Sequence, residues 1–233
     1  TYRSYRDLKS KRLLAHFKFT HDDPVLPDLA FSYVSSEPPG SGVNRGRVVG
    51  ISPISYLSRK WKEPNLREYD RYIASLAGLA RHLAERGYEI ILFSTDAVDL
   101  ESLDDLEAVL ARSLGPSLTA RVSRMDTRDL DALFRCLTRL EFVIASRLHG
   151  VILSHRAGLP VLAISYDRKV STHMFETQLS EYCVDFHSID ADILQQTFAS
   201  LAQNADLVRS RLTEINARYG GALTLQYDRV LGV

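Results

Sequence analysis

The 233-residue sequence predicts an α/β fold with a doubly wound parallel sheet, because short apolar runs alternate with segments of helical periodicity. Hydrophobic residues make up 45% of the chain and charged residues 25%, as in ordinary soluble domains. The 29 basic and 29 acidic side chains cancel, which argues against nucleic-acid binding and leaves at most peripheral contact with a membrane. The apolar runs are also far shorter than the ~20 residues of a membrane helix.

The elements are predicted in chain order. A strand over 47–52 precedes a helix over 67–86, in which apolar residues recur at steps of three and four, and a strand over 88–94. Gly87 between them is expected to end the helix in the left-handed conformation. Further predicted strands lie at 118–122, 142–145 and 161–165, and further helices at 100–114, 127–139, 147–157, 189–203 and 206–227. This alternation predicts parallel strands with helices on both faces, a Rossmann-like arrangement.

Residues 35–46 predict a linker, because Pro, Gly and Ser crowd there and no apolar period survives. The glycines between 40 and 46 have the wrong spacing for a dinucleotide fingerprint and precede a strand rather than a helix. Residues 1–63 hold eleven Lys or Arg against six Asp or Glu. This local excess favours a small anionic ligand.

The run from Ser146 to Gly150 carries the strongest functional pattern, at the junction of a strand and a helix. Ser146 is expected to cap the helix, which places Arg147 and His149 in the first turn. A cation there opposes the helix dipole, at a cost of about 0.3–1 kcal/mol, unless an anion is bound. Arg147 and the free backbone N–H groups therefore predict a phosphate or carboxylate cradle, with His149 as a neutral donor or base. An exposed arginine beside a core histidine is the alternative.

Two more cations come after the predicted strand over 161–165. Arg168 and Lys169 precede a helix that Ser171 or Thr172 is expected to cap. If the two strands are neighbours, either cation could reach an anion held at the preceding strand end. A solvated turn is the alternative interpretation.

The first two predicted strands end in polar residues as well. Ser52 and Pro53 end the first, and the next loop carries Arg59 close to Trp61, the only tryptophan. Arg59 can bind a carboxylate or stack on a ring, whereas Trp61 is equally suited to packing. Residues 94–96, Ser-Thr-Asp, are expected to cap the segment after the second strand. The acidic residues between 96 and 107 predict a solvated helix start.

No metal site is predicted. Four residues near the amino terminus show no recognised ligand spacing: His16, His21, Asp22 and Asp23. Cys136 and Cys183 lie far apart and in no CxxC pattern, which speaks against a disulfide scaffold or a zinc site. A reducing compartment, the cytoplasm, is therefore expected.

Several of these runs together resemble one family. S-R-L-H-G at 146–150, A-G-L-P at 157–160 and S-Y-D-R-K-V at 165–170 closely resemble the carboxyl-terminal half of polysaccharide pyruvyl transferases. The segment 50–61 looks like that family's first strand and loop. Arg6, Asp7 and Ser10, with P-D-L-A-F at 27–31, are similar to the end of its amino-terminal domain.

The resemblance implies the two-domain GT-B architecture, with an active site between two Rossmann-like domains. Residues 47–233 would then be the carboxyl-terminal domain with a helical tail, and residues 1–46 a remnant of the amino-terminal domain and the linker. The chain is therefore expected to be a fragment of the two-domain protein.

The resemblance also implies an activity. Family members transfer the enolpyruvyl unit of phosphoenolpyruvate to a sugar of a cell-surface or exopolysaccharide precursor and form a pyruvate ketal. The acceptor would be lipid-linked or nucleotide-linked, and no metal or organic cofactor is implied. Two alternatives stay open: a GT-B glycosyltransferase that uses a nucleotide sugar, and a non-catalytic module that binds a sugar or an anion.

Site residues are implied by the matching positions. Arg147 would bind the donor's phosphate or carboxylate, and His149 would be the general acid or base. Lys169 would neutralise the phosphate, and Arg59 is a weaker match for a donor-facing arginine. The remaining expected substrate-binding residues are Ser146, Arg168, Ser52 and Tyr166.

Overall fold

The computed structural model describes residues 2–18, 21–33, 46–127 and 129–232. The strands are β1 (Val48–Ser52), β2 (Glu89–Leu92), β3 (Val122–Arg124), β4 (Phe142–Ala145), β5 (Val161–Ser165) and β6 (Cys183–Asp185). The α-helices are α1 (Leu8–Ala15), α2 (Leu66–Glu85), α3 (Leu100–Ser113), α4 (Pro116–Thr119), α5 (Leu130–Thr138), α6 (Leu148–Arg156), α7 (Arg168–Glu176), α8 (Ala191–Gln203) and α9 (Ala205–Leu231).

The strands form one parallel sheet in the order β3-β2-β1-β4-β5-β6, which confirms the predicted doubly wound fold. The strand order reverses between β1 and β4, and ligands of such folds bind outside the carboxyl ends of the strands at this switch point. Ser52 at the end of β1 pairs in register with Ala145 at the end of β4. The first residue after β4, Ser146, donates its N–H to the Ser52 carbonyl at 3.3 Å. The polar residues after both strands therefore lie side by side.

Helix α2 shows why the periodicity predicts the fold well. Asn65 caps its start by accepting the N–H of Glu68, and the apolar residues of its inner face are buried in the main core. The helix ends before Gly87, which has a φ of +86° and so confirms the predicted left-handed cap. The chain can then turn directly into β2, whose last three residues are fully or almost fully buried.

The amino-terminal segment packs on the helices of the domain. Residues 29–32 form a 3-10 turn, which Asp28 begins by accepting the N–H of Ala30 at 3.0 Å. Phe31 in this turn is buried with Ile152 of α6 and Leu223 of α9 in a small separate cluster. Residues 28–33 therefore form one wall over the start of α6.

Two predicted boundaries are wrong for a local reason. The strand expected over 118–122 is instead β3, over 122–124, because Pro116 begins the one-turn helix α4 at the position that proline favours. Helix α7 is capped by Asp167, whose carboxylate accepts the N–H of Lys169 at 2.8 Å, and not by Ser171 or Thr172. Arg168 and Lys169 consequently lie in the first turn of this helix rather than in a turn before it.

The remaining differences concern short or undescribed segments. Strand β6 was not predicted, because its three residues are too few to show a pattern. The expected linker, residues 35–46, lies outside the described residues except for Gly46, and so do most of the glycines between 40 and 46. In the described part of the chain, no helix has the length and apolar character needed to cross a membrane.

Gly50 provides a test of the packing at the centre of the sheet. A Cβ at this position would lie 2.4 Å from Leu140 Cδ1 and 2.8 Å from Phe93 Cε1, and both side chains are fully buried. We expect Gly50→Ala to lower the free energy of unfolding by about 1–3 kcal/mol in urea titrations. The matched control is Gly221→Ala in α9, where a Cβ meets nothing within 4 Å. The packing account is wrong if both variants are as stable as the wild type.

Candidate functional site

Helix α6 begins differently from the prediction. Arg147, not Ser146, is the residue before the first helical turn, and no side chain caps that turn. The Ser146 hydroxyl instead shares a 2.7 Å hydrogen bond with the hydroxyl of Tyr72, which is fully buried and also accepts the N–H of Ile54 at 3.0 Å. Burial raises the pKa of Tyr72 well above its ordinary value, so this hydroxyl stays protonated. Ser146 therefore fixes the α6 start to α2 and leaves the first N–H groups of α6 without a side-chain cap.

The guanidinium of Arg147 is held by the carboxylate of Asp99. Nε lies 2.5 Å from Oδ2 and Nη2 lies 3.0 Å from Oδ1, a two-point contact. Asp99 is fully buried and also accepts the N–H of Ser55 at 2.9 Å. Burial by itself would lower the pKa of Arg147, but the hydrogen bonds and charge of Asp99 and the charge of Asp96 outweigh it and raise that pKa. The positive charge at this position is thus balanced within the protein.

The expectation that residues 96–107 form a solvated helix start is wrong for Asp99. Asp96 accepts the N–H of Val98 and begins a 3-10 turn over residues 97–99, as the predicted capping role requires, and Asp99 at the end of that turn points into the protein. On α3, Glu101 and Asp105 both contact Nη1 of Arg59, at 3.3 and 3.0 Å. Arg59 is therefore bound to α3.

His149 lies in the first turn of α6, and its side chain is 60% exposed, so it is not a core histidine. Its Nε2 lies 3.9 Å from Oδ2 of Asp28. The same Oδ2 accepts from Nη1 of Arg6 at 3.2 Å. The amino-terminal segment thus places a carboxylate beside His149 and a cation beside that carboxylate.

The predicted neighbour relation between the strands before α6 and α7 is confirmed, because β4 and β5 pair directly. The starts of both helices therefore lie at the same edge of the sheet. Tyr166, between β5 and α7, is half-buried. Burial raises the pKa of its phenol, against the opposing charge of Arg147. That charge effect places Tyr166 in the field of Arg147.

A pocket of about 240 Å³ lies between the amino-terminal segment, α6 and α7. Its charged lining consists of four cations, Arg6, Lys9, Arg168 and Lys169, and three carboxylates, Asp7, Asp28 and Glu176. Positive charge is therefore in excess by one, which favours an anionic ligand. The pocket brings together Arg168 and Lys169 from the predicted set, and His149 adjoins it through Asp28. Its lining does not contain Arg147, Ser52 or Arg59.

A buried histidine pair lies behind this pocket and could not be predicted from the sequence. His155 Nδ1 of α6 is 3.0 Å from His173 Nε2 of α7, and His173 also lines the pocket. Burial lowers the pKa of His173 to about 4 and that of His155 well below its ordinary value. Both rings are therefore neutral at physiological pH. No spacing rule connects these two positions, because only the packing of α6 against α7 brings them together.

The cysteines and the possible metal ligands add nothing to this site. Among the residues that the structure describes, no group of three or more His, Cys, Asp or Glu is placed to hold a metal ion. Cys136 is buried, Cys183 is partly buried, and both are free thiols. Burial raises the pKa of each, which makes both poor nucleophiles near neutral pH.

The sheet order defines a Rossmann-like fold, which solved GT-B glycosyltransferases share. A mutant of the Thermobaculum terrenum O-GlcNAc transferase matches 85% of this chain with a TM-score of 0.50 and 16% identity, over 38% of its own length. TarM matches 96% of the chain with a TM-score of 0.50 and 13% identity, over 40% of its length. The chain thus spans about two fifths of these structures, and at this identity the likeness concerns the fold alone.

The sequence comparison identifies the family. A family model for polysaccharide pyruvyl transferase matches residues 1–168, and the chain belongs to this family. The resemblance inferred from the strand-end motifs is thereby confirmed. No curated protein sequence matches the chain.

The contact between Asp99 and Arg147 can be tested by a double-mutant cycle. Removal of either partner leaves the charge of the other without its counter-charge in a buried position. Arg147→Met and Asp99→Asn should therefore each lower the free energy of unfolding by about 3 kcal/mol. The double variant should lose clearly less than the sum of the two. The control cycle uses Arg209→Met and Asp206→Asn, a pair with a fully exposed carboxylate whose coupling should stay below about 1 kcal/mol. Additive losses in the Asp99 cycle would contradict the assigned contact.

The histidine pair predicts a pH dependence of stability. Because the pKa of His173 is lowered to about 4, the unfolded chain binds more protons than the folded protein between pH 6.5 and 4. The free energy of unfolding should therefore fall as the pH drops through this range. In His173→Gln the fall should be shallower, whereas His16→Gln, at an exposed position, should behave like the wild type. Equal slopes in all three proteins, measured by urea unfolding, would refute the contribution of the pair.

Proposed function

We propose that the protein transfers the enolpyruvyl unit of phosphoenolpyruvate to a sugar of a cell-surface or exopolysaccharide precursor and forms a pyruvate ketal. Membership in the family supports this activity. The observation that carries the proposal is the grouping of His149, Arg168 and Lys169 at the starts of two neighbouring helices, beside a pocket with excess positive charge. We place the reaction in the cytoplasm, where the donor is available and free thiols stay reduced.

The donor carries a phosphate and a carboxylate, so its binding requires several cations. We assign Lys169 and Arg168, in the first turn of α7, to one anionic group. Arg6 lies across the same pocket and is available for the other group, although it also contacts Asp28 at 3.2 Å. An anionic ligand would offset the positive excess of this lining.

We also assign Arg147 to donor binding, but through one nitrogen of its guanidinium rather than through the whole group. Its Nε and Nη2 are bound to Asp99, so only Nη1, which lies 3.6 Å from Asp96, is available for a further contact. Asp99 would then hold the guanidinium in a fixed orientation toward the donor. Arg59 would have to leave Glu101 and Asp105 to take part.

Three predicted polar residues lie at the same edge of the sheet. Ser146 is held by Tyr72, and Tyr166 is half-buried in the field of Arg147. The Ser52 hydroxyl is buried without a hydrogen-bond partner in the described part of the protein. We assign these groups to donor or acceptor oxygens, since an unpaired buried hydroxyl is costly unless a ligand or water satisfies it.

The chemistry requires one proton donor and two activated hydroxyls. Protonation of the methylene carbon of the donor converts it to a methyl group and makes the adjacent carbon electrophilic, so that one sugar hydroxyl adds there and loses its proton. A second hydroxyl then displaces the phosphate, which leaves with a proton, and the ketal is complete. No metal or organic cofactor is needed, because the enol phosphate is already activated.

We assign the proton transfer to His149. Its imidazole is exposed, lies in the first turn of α6 and has the Asp28 carboxylate 3.9 Å from Nε2. This carboxylate lies close enough to influence the orientation of the ring during proton transfer. The cations of the pocket would stabilise the negative charge on the leaving phosphate.

The experiment is a kinetic comparison in the complete enzyme, with phosphate release and the mass of the pyruvylated sugar as readouts. His149→Ala should lower kcat by about 10²–10⁴-fold, because it removes the proton donor. Lys169→Ala should mainly raise KM for phosphoenolpyruvate. The matched controls are His16→Ala and Lys62→Ala, both at exposed positions away from the described pocket. Turnover like that of the wild type in both site variants would refute the proposal.

A further inference from the structure

A second pocket lies outside the carboxyl ends of β2 and β3 and takes no part in the chemistry assigned above. Its volume is about 540 Å³, within the range of sites for small ligands. Three hydroxyls, two carboxylates and an apolar floor characterise the lining: Ser94, Thr95, Thr127, Asp96, Asp126, Leu100 and Met125. Sugar-binding sites need this combination of hydrogen-bonding groups and apolar surface, because a sugar ring presents both hydroxyls and C–H groups.

The walls of this second pocket are joined by hydrogen bonds within the protein. Thr127 accepts the N–H of Ser94 at 3.3 Å and donates its hydroxyl to the carbonyl of the same residue. The Ser94 hydroxyl in turn donates to the carbonyl of Asp96 at 2.7 Å. The loop after β2 is therefore tied to the loop after β3. A pocket whose walls are already fixed loses less entropy when it binds a ligand.

The charge of this pocket differs from that of the pocket beside His149. The cation in its lining, Arg124, forms ion pairs through Nη1 with Oδ1 of Asp104 at 2.6 Å and with Oε2 of Glu107 at 3.3 Å. Asp96 adds negative charge to the same lining, and Arg147 approaches its Oδ2 only to 3.6 Å. An anionic donor is therefore disfavoured here, whereas a neutral ligand rich in hydroxyl groups is not.

Asp96 is the group best placed to recognise such a ligand. Its Oδ1 accepts the N–H of Val98 at 3.2 Å, and its side chain is 42% exposed. Arg147 approaches Oδ2 only to 3.6 Å, because Asp99 takes its two-point contact. A carboxylate after the second strand of a doubly wound sheet is also where the ribose hydroxyls of dinucleotides are bound. An ionised carboxylate can accept two adjacent hydroxyl groups at once.

We propose that this pocket binds a sugar ring through a vicinal diol on Asp96, with the apolar face of the ring on Leu100 and Met125. The inference rests on the proposed function, in which the ring would belong to the acceptor. Asp96 borders Arg147, whereas Asp28 borders His149, so the start of α6 would lie between acceptor and donor. The diol has two possible sources: a pyranose of the glycan, or the ribose of a nucleotide that carries it.

Methionine methyl NMR tests this directly, because the chain contains only two methionines. Met125 lines the pocket, and Met174 is fully buried and serves as an internal reference. The probes are methyl β-galactopyranoside, uridine and 2′,3′-dideoxyuridine. We expect a probe with a diol to shift the Met125 signal and leave Met174 unchanged, and dideoxyuridine to shift neither. A response to the pyranoside identifies a glycan source, and a response to uridine alone identifies ribose.

Two variants and a control sharpen the test. Asp96→Asn keeps an oxygen for the Val98 N–H but removes the charge, and should weaken the binding of the active probe about tenfold or more. Ala97→Phe places a ring in the pocket from an exposed position and should abolish the Met125 response. Asp70→Asn, at an exposed position of α2, should bind like the wild type.

The proposal is overturned if no probe shifts the Met125 signal. It is also overturned if dideoxyuridine shifts Met125 as much as the diol probes do, or if Asp96→Asn binds the diol probes as well as the wild type does. Phosphoenolpyruvate is added in a separate titration, with thermal unfolding as the readout. It should raise Tm in the wild type but not in Lys169→Ala, and should leave Met125 unshifted. If phosphoenolpyruvate does not raise Tm in the wild type but the diol probes still shift Met125, the donor assignment alone is refuted. If phosphoenolpyruvate raises Tm as expected but no diol probe shifts Met125, the sugar site alone is refuted.

Discussion

The carboxylate of Asp99 joins three loops at the edge of the sheet where the site lies. Asp99 itself lies in the loop after β2, it accepts the N–H of Ser55 from the loop after β1, and it binds Arg147 at the end of β4. The desolvation of a fully buried carboxylate is costly, and the two-point contact with the guanidinium offsets that cost only in this arrangement. The position of the α6 start, and with it the position of His149, therefore depends on this ion pair together with the hydrogen bond between Ser146 and Tyr72.

The consequence is a separation of charge along the edge of the sheet. The arginine that the sequence marks as the anion-binding group is balanced internally, so the excess of positive charge lies at the α7 start and in the amino-terminal segment. The second pocket carries the Asp96 carboxylate, and the cation in its lining, Arg124, is already paired with Asp104 and Glu107. The proposed transfer from an anionic donor to a neutral, hydroxyl-rich acceptor needs two such environments close together, and both adjoin the start of α6.

Much of the fold can be derived from local pattern. Continuous apolar runs identify the buried strands β1, β2, β4 and β5, and steps of three and four identify α2, so the doubly wound sheet could be predicted. The correct starts of α4 and α7 could also have been predicted from the residues there. Pro116 after a glycine indicates the start of a helix, and Asp167 is as good a cap for α7 as Ser171 or Thr172. Strand β6 had no such signal, because it is only three residues long.

The candidate site was predictable only in part. The motifs located Arg147, His149 and Lys169 at strand ends, because parallel topology brings those ends to one edge. The partners of these residues could not be predicted. Asp99 is 48 positions from Arg147 in the sequence, and the contact between His155 and His173 depends on how α6 and α7 pack. Neither contact can therefore be predicted from the spacing of residues in the sequence.

The most direct measurement is a crystal structure of the protein with bound phosphoenolpyruvate. The account predicts donor oxygens within hydrogen-bond distance of Lys169 and the methylene carbon facing His149. A donor bound in the pocket beside Met125, or away from both helix starts, would contradict it.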